Sequence, residues 1–315
     1  MRSKITDDEI IKALKVCNGN AADAARALGL SERQMRFRRV QLEQVGAPVP
    51  SRNQMYRAYE RRREATLLNG TVVIFSDAHF WPGELTVAHR ALLKVIGDIA
   101  PNIVIANGDM LDGPGISAHP PLGWNGAPDL AGEIACVVEH MSGIFDAAKR
   151  VRNSVKFFRT IGNHDIRFDR LLAQNAAQFK NLEGFRLADH LPAWPESWSV
   201  MINGKVLVKH RWHGGIHATY NNTMKSPGMS MVTGHLHRLM ATPWGDHSMG
   251  GGRTWGIDTG TLADPRGPQF DYAEDSPVNW GQGFPVLTFH KGKLLPPEFV
   301  EVLDGEAFFR AKRVC

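Results

Sequence analysis

The sequence predicts an α/β domain of two sheets packed face to face with helices outside, preceded by a small all-α module. Three observations carry this reading. Apolar, β-branched runs recur between residues 71 and 232, each short enough for a buried strand and each followed by a polar motif. Helix-like segments, Leu85 to Ile99, Leu130 to Val151 and Ile166 to Phe179, separate the earlier runs and read as crossovers. Beyond residue 196 the pattern changes to strand pairs: Ser197 to Ile202 and Lys205 to His210 flank Asn203-Gly204, a tight hairpin signal. Later strands are expected over Leu239 to Pro243, Thr254 to Asp258, Pro285 to His290 and Leu294 to Leu303.

The five earlier runs are Thr71 to Phe75, Ile103 to Ala106, Val155 to Phe158, Lys205 to Val208 and Met229 to Val232. They lead into Asp77-Ala78-His79, Gly108-Asp109-Met110-Leu111-Asp112, Gly162-Asn163-His164-Asp165, His210 and Gly234-His235-Leu236-His237. An α/β sheet places its chemistry on such loops at strand ends. In an extended segment residues two apart point the same way, so Asp77 with His79, and His235 with His237, can face one cavity. Carboxylate, amide oxygen and imidazole form a borderline-hard ligand set for Mn²⁺, Fe, Zn²⁺ or Ni²⁺. The absence of thiolates favours a catalytic site over a structural zinc. Any one of these residues alone reads as a satisfied structural group. Together, converging at strand ends, they would be costly to bury without a cation.

In this order the motifs resemble the DxH, GDxxD, GNH[DE], lone His and GHxH pattern of the calcineurin-like metallophosphoesterase superfamily, over residues 70 to 303. The resemblance implies a four-layer α-β-β-α sandwich and two divalent metal ions, Mn²⁺ foremost, with Fe, Zn or Ni as alternatives. It implies that Asp77, His79 and His237 hold the first ion, that Asn163, His210 and His235 hold the second, and that Asp109 bridges them. His164 would donate to the phosphoryl or leaving-group oxygen, and Asp112 would hold the His164 ring. His213 stands beside His210 as an alternative ligand or a substrate contact. His89, His119, His140, His190, His217, His247 and His290 read as surface or hydrogen-bonded histidines. Ser/Thr protein phosphatases of the superfamily carry an Arg directly after GDxxD, where this chain reads Gly113, which weakens a phosphomonoesterase reading. The segments His79 to Gly83 and Asp112 to Pro121 look like those of phage- and prophage-encoded, DNA-repair-exonuclease-like members.

Residues 5 to 44 have another character. Thr6 to Glu9 suits a helix start, with Ile10, Ile11, Leu14 and Val16 as the apolar side. A second helix runs from Asn20 to Leu28 and ends at Gly29; Ser31 caps a third, Glu32 to Leu42, with Met35, Val40 and Leu42 as its core side. The run Asn18 to Ser31 closely resembles the helix-turn-helix of the Fis family. By that resemblance Arg33, Gln34, Arg36, Arg38 and Arg39 face a DNA groove, and a pair of copies on two half-sites makes a homodimer reasonable. The domain organisation expected is 1–45 helix-turn-helix, 46–69 basic linker, 70–305 catalytic domain and 306–315 basic tail. The linker breaks at Pro48 and Pro50, then continues through Tyr56, Arg57, Tyr59, Arg61, Arg62 and Arg63 as a basic-aromatic helix or a solvated linker helix.

Residues 1–70 hold 14 Lys and Arg against 8 Asp and Glu, a net of +6, whereas the whole chain is +5. The positive charge therefore sits in the N-terminal segment, as expected of an arm that delivers a near-neutral catalytic domain to a polyanion. Trp124, Trp244 and Trp255, in or near Gly- and Pro-rich stretches, read as loop or core anchors or as platforms for a base. Three unclustered cysteines, Cys17, Cys136 and Cys315, imply no disulfide framework and fit a reducing cytoplasm, that of a bacterial host if the chain is phage-encoded. No apolar run reaches membrane-span length. The sequence thus predicts a dinuclear-metal phosphodiesterase, a DNA nuclease guided by its N-terminal module, with a small-substrate phosphoesterase as the alternative.

Overall fold

A computed structural model describes residues 5–17, 20–44, 47–49, 59–117, 128–212, 228–245, 253–275 and 279–315. The chain forms two compact units, Met1–Glu60 and Arg61–Cys315.

In the first unit, α1 (Asp7–Val16), α2 (Ala21–Leu28) and α3 (Glu32–Gln44) enclose a core of Ile10, Leu14, Ala24, Ala25, Met35 and Leu42. Thr6 caps α1 in a reciprocal box with Glu9, and the Asn20 side chain accepts from the Ala22 N–H to cap α2. Gly29, at φ 64°, closes α2, with the Leu30 N–H donating to the Ala25 carbonyl. Ser31 and Gln34 make the corresponding box at the start of α3. Two residues assigned to the core side lie outside it: Val16 is 76% exposed and Val40 48%. A three-helix unit this small has room for only one or two side chains per turn of each helix, and Met35 and Leu42 take the inner positions of α3.

In the second unit the described strands form two sheets. One has the order β1 (Arg63–Ala65), β6 (Val200–Ile202), β7 (Val206–Lys209), β8 (Ser230–Thr233), β10 (Arg253–Thr259) and β9 (Leu239–Gly245). The other runs β15 (Lys312–Arg313), β14 (Glu306–Phe309), β13 (Glu298–Leu303), β11 (Gly283–His290), β2 (Gly70–Phe75), β3 (Ile103–Asn107), β4 (Lys156–Thr160) and β5 (Glu196–Ser197), with β12 (Lys293–Leu294) also pairing β11. Side-chain alternation decides the layers. Val72, Ile74, Ile103, Ile105 and Leu287 meet Val200, Ile202, Val206, Val208 and Ile257 between the sheets. Val73, Phe75, Val104, Ala106 and Val286 point the other way, onto α4 (Val87–Ile99) and α5 (Leu130–Val151). Met201, Leu207 and Met231 are buried on the remaining face of the first sheet.

The structure corrects several expected boundaries. Segment 197–202 is not one strand: Ser197 pairs with β4 in one sheet and Val200 with β7 in the other, so the chain changes sheets at Trp198-Ser199. The hairpin turn itself holds, with Asn203 and Gly204 at φ 53° and 63°. Segment 294–303 is interrupted at Pro296-Pro297, which supply no N–H to a ladder. The segment read as linker contributes β1, parallel to β6, and is extended rather than helical from residue 63; Tyr56 and Arg57 lie outside the described residues. The expected tail 306–315 is a sheet edge, with Ala307 and Phe309 buried against the helix-side core.

Two measurements follow. Phe309→Ala removes a buried ring and is expected to lower unfolding free energy by roughly 3 kcal/mol in urea titration, where a tail residue would change it by under about 0.5. His89, on α4, packs against Phe80 and His140; burial, with the charge of His140, pushes it down to about 3. Its folded value lies below its unfolded value of about 6.5. The unfolded chain therefore takes up the proton first, and stability present above about pH 6.5 is lost as pH falls toward 3, by at most about 1.4 kcal/mol per pH unit. Denaturation midpoints across that window should fall less steeply in His89→Phe.

Candidate metal centre

The motifs stand at the C-terminal ends of β2, β3 and β4, which are mutually parallel, and of β7 and β8, parallel in the facing sheet. Five candidate ligands, Asp77, His79, Asp109, His235 and His237, have φ between 39° and 71°. That left-handed backbone costs of order 1–3 kcal/mol per non-glycine residue and persists only where surroundings enforce it. Here the Asp77, His79 and Phe80 N–H groups donate to the carbonyls of Gly108, Asp109 and Met110 at 2.9–3.0 Å, lacing the first two motif loops together.

The loop Asp258-Thr259-Gly260-Thr261, which sequence reading left without a role, supports them. Thr261 Oγ1 donates to the Asp77 carbonyl at 2.7 Å, and the Thr259 and Ser76 hydroxyls meet at 2.5 Å beside the Asp77 carboxylate. Asp165 was likewise missed. Its buried carboxylate accepts from the N–H groups of Asp109, Met110, Leu111 and Gly162 at 2.9–3.2 Å, with the Arg159 guanidinium 3.7 Å behind it. One side chain thus fixes the GDxxD loop to the GNHD loop. Gly162 must be glycine, because a Cβ there would overlap the side chain and backbone nitrogen of Asp109. Glu133, on α5, accepts from the N–H groups of Asp112 and Gly113 at 2.8 and 2.6 Å.

The structure brings together every ligand expected from sequence. Asp77, His79 and His237 form one buried group whose candidate ligand atoms lie within 4.8 Å of one another; Asp109, His210 and His235 form another on the same criterion. His210 Nε2 is 3.0 Å from Asp109 Oδ2 and 3.1 Å from Asn163 Oδ1, while its Nδ1 donates to the Asn107 carbonyl at 2.8 Å, fixing the ring. Of the two histidines left open for the fourth motif, His210 is at the site; His213 lies outside the described residues, as do His119 and His217.

Asp112 does more than expected. Its carboxylate takes the His79 Nδ1–H at 2.8 Å and lies 3.3 Å from His164 Nδ1, which itself bonds the Asp112 carbonyl at 2.8 Å. One residue therefore braces a candidate ligand and the candidate acid. Beside His164 Nε2, at 3.3 Å, stands Arg167, which also donates to the Asp112 carbonyl. This cation lies two residues beyond the GNHD motif. Sequence alone gave no signal for it beyond its place one turn into α6 (Asp165–Asn175).

Electrostatics fit a cation pair. Burial opposes ionisation of Asp109, but the charges of His210, His164 and His79 hold it well below the usual carboxylate range. Burial also opposes protonation of His210, yet Asp109 and Asp77 draw it up to about 9. His164 is raised by Asp112 and Asp109 against its own burial. His79 Nε2 is buried with no hydrogen-bond partner, which is costly in a protein-only cavity and natural for a ligand atom, and His237 turns Nε2 to within 3.2 Å of Asp77 Oδ1. The donor set is thiolate-free, so the residues present fit divalent ions of the Mn, Fe, Zn or Ni type. Aromatic rings close the His79 side: Phe270 lies 5.0 Å from His79 and 5.1 Å from His237, and Trp280 4.4 Å from His237. Half-exposed Tyr272 lies 6.2 Å from Phe270, and burial with the charges of Asp112, Asp77 and Asp109 pushes its phenol up to about 12.

The sequence pattern described as calcineurin-like phosphoesterase matches residues 70–239, more than half of the chain. The chain belongs to that family. A second pattern, the Fis family of bacterial regulatory proteins, matches residues 7–41. Among curated proteins, the Gene 54 protein of Mycobacterium phage D29 is 28% identical over 74% of this chain and 94% of its own length; that of phage L5 is 27% identical with the same shares. Similar solved structures include a zinc-complexed Vps29 from Entamoeba histolytica, 14% identical with a TM-score of 0.40 over 78% of this chain and 98% of its own. A metallophosphoesterase from Sphaerobacter thermophilus is 17% identical, TM-score 0.38, over 74% and 88%.

Asp165→Asn leaves the ring ligands in place but weakens the acceptor of four N–H groups. It is expected to lower metal affinity by about 10- to 100-fold, read by calorimetric titration of Mn²⁺, with circular dichroism unchanged.

Proposed function

We propose that the chain is a dinuclear-metal phosphodiesterase that hydrolyses DNA, directed by its N-terminal helix-turn-helix unit, with Mn²⁺ as its metal. The observation that carries the hydrolytic reading is the pair of neighbouring ligand groups, Asp77, His79 and His237, and Asp109, His210 and His235, with His164 set beside Asp109. When bound, the ions supply Lewis acidity to the phosphoryl oxygens and an acidified water at neutral pH. Asp77, His79 and His237 would hold the first ion, Asn163, His210 and His235 the second, with Asp109 beside both. The His164 N–H of the main chain donates to Asp109 Oδ1 at 2.8 Å, so acid and shared ligand keep a fixed relation. With Nδ1 tied to Asp112, His164 presents Nε2 to the leaving oxygen, and its raised affinity for a proton suits a general acid. Arg167 offers its guanidinium to a non-bridging phosphate oxygen.

DNA as substrate is supported by the Fis-type unit and its surplus of cations. Of the residues assigned to a groove, Arg33 is exposed, and Arg36 and Arg39 pair along α3 with Glu32 and Glu43. Arg38 pairs with Asp7 at 2.5 Å and Gln34 caps Ser31, so these two also serve the fold of the unit. Phosphates can compete for the exposed arginines because surface ion pairs on a helix are weak. Pairing of two copies on half-sites belongs to the same reading. Within the described residues no helix is long and apolar enough to cross a membrane.

The Mn²⁺-loaded protein is expected to cut end-labelled DNA. Asp109→Asn should lose metal and activity together, whereas His164→Ala should retain metal and lose turnover by about 10²- to 10⁴-fold. Removal of residues 1–60, stopping before β1, should reduce DNA cleavage and its salt dependence while hydrolysis of bis(p-nitrophenyl) phosphate persists. Metal-replete protein that leaves single- and double-stranded DNA intact, yet turns over small esters, would favour the small-substrate alternative.

A further inference from the structure

Beside the second ligand group lies a cationic strip that the hydrolytic machinery does not use. Lys209 and Arg211 flank His210, and Lys209 Nζ sits 4.1 Å above the Trp212 ring. The strand register sets Arg62 beside them: Arg63 pairs with Val200 and Val200 with Val208, so the residues before and after these positions share one end of the sheet. Arg62 Nε donates to Ser199 Oγ at 3.3 Å in that row. Arg211 follows His210 directly in the chain, which puts it beside the second ligand group. Among the described residues, none of Arg62, Lys209 and Arg211 is paired with a carboxylate, although ion pairs are frequent elsewhere on this chain. Trp212 is 45% exposed, and Trp198, next to Ser199, is 36% exposed.

Mutual repulsion among uncompensated cations disfavours their clustering unless an anion relieves it. A repeated anion is needed here, since the cations stand at the ends of two strands, β1 and β7, with β6 between them, and the half-exposed Trp212 indole packs on Lys209 at one end of the row. Cations that track a backbone, interleaved with aromatic platforms, match single-stranded nucleic acid, in which unpaired bases are free to stack. Double-stranded DNA has its bases already stacked and gives Trp212 nothing to hold. A membrane surface would need an apolar patch larger than one or two rings.

We propose that Arg62, Lys209, Arg211 and Trp212 form a track for single-stranded nucleic acid leading away from His210 and His235, with Trp212 stacked on a base flanking the scissile phosphate. This proposal rests on the DNA-hydrolase reading above and specifies the strand form that enters the site.

The test uses the full chain loaded with Mn²⁺ and a short single-stranded oligodeoxynucleotide carrying 5-iododeoxyuridine. After irradiation, the adduct is mapped by mass spectrometry and is expected on Trp212. In steady-state cleavage, Trp212→Ala is expected to raise KM for the single strand about tenfold with kcat within about twofold. Lys209→Gln, with Arg62→Gln as a second variant further from the ligands, should make the dependence of log(kcat/KM) on log[salt] shallower by about 0.7 each. An adduct map without Trp212 overturns the track. So do KM values and salt slopes matching the parent in all three variants while the parent cuts the strand. A parent that cross-links through Trp212 but leaves every strand intact overturns the hydrolase reading and keeps the track.

Discussion

Two carboxylates, Asp77 and Asp109, are buried in one cluster with His79, His210 and His237, and most of the surrounding structure serves to hold that charge in place. Ionised groups removed from water require opposite charge, directed hydrogen bonds, or both. The chain supplies hydrogen bonds from main-chain N–H groups and hydroxyls: the His235 N–H and Ser76 Oγ for Asp77, the His164 N–H for Asp109. It supplies charge through histidines whose remaining nitrogens face the same space. One of those nitrogens, His79 Nε2, has no protein partner at all, which is the strongest local reason to fit the cluster to divalent ions.

This constraint accounts for the backbone around the site. Ligands at positive φ project from strand ends in directions an ordinary strand extension would not allow, and the strain is distributed over the laced loops at 77–80 and 108–110. Asp165 is central because one carboxylate collects four N–H groups from two loops, converting two flexible segments into a single rigid one. Asp112 works similarly for side chains, bracing both His79 and His164. The roles of acid and ligand are thereby coupled: a change at Asp112 disturbs both at once.

Around this rigid centre the two flanks differ. Phe270, Trp280 and Tyr272 crowd the His79 and His237 side, whereas Lys209, Arg211 and Trp212 occupy the side of His210 and His235. Arg167, close to His164, comes from a helix rather than from the loop after GDxxD.

The motifs, their order and the strands that precede them were readable because their periodicity and residue types are local: alternating apolar runs specify two-faced strands, and the helix-turn-helix announces itself through Thr6, Asn20, Gly29 and Ser31. The metal partition was readable only through resemblance; the structure gathers Asp77, His79 and His237 in one group and Asp109, His210 and His235 in another. What local pattern could not give are relations between distant segments. Asp165 was one letter of a motif until its four N–H donors were in place. Thr259 and Thr261 had no visible task, and the 63–65 and 306–315 segments looked like linker and tail because short edge strands carry too little periodicity to register. Val16 and Val40 were misplaced for the related reason that apolarity says a side chain can be buried, not that a neighbour is there to bury it. Sequence determined which chemistry is present, since ligand types and strand-end positions are written residue by residue. Tertiary structure alone decided which side chains brace the ligands and which cations border them, because those contacts join segments up to 184 residues apart.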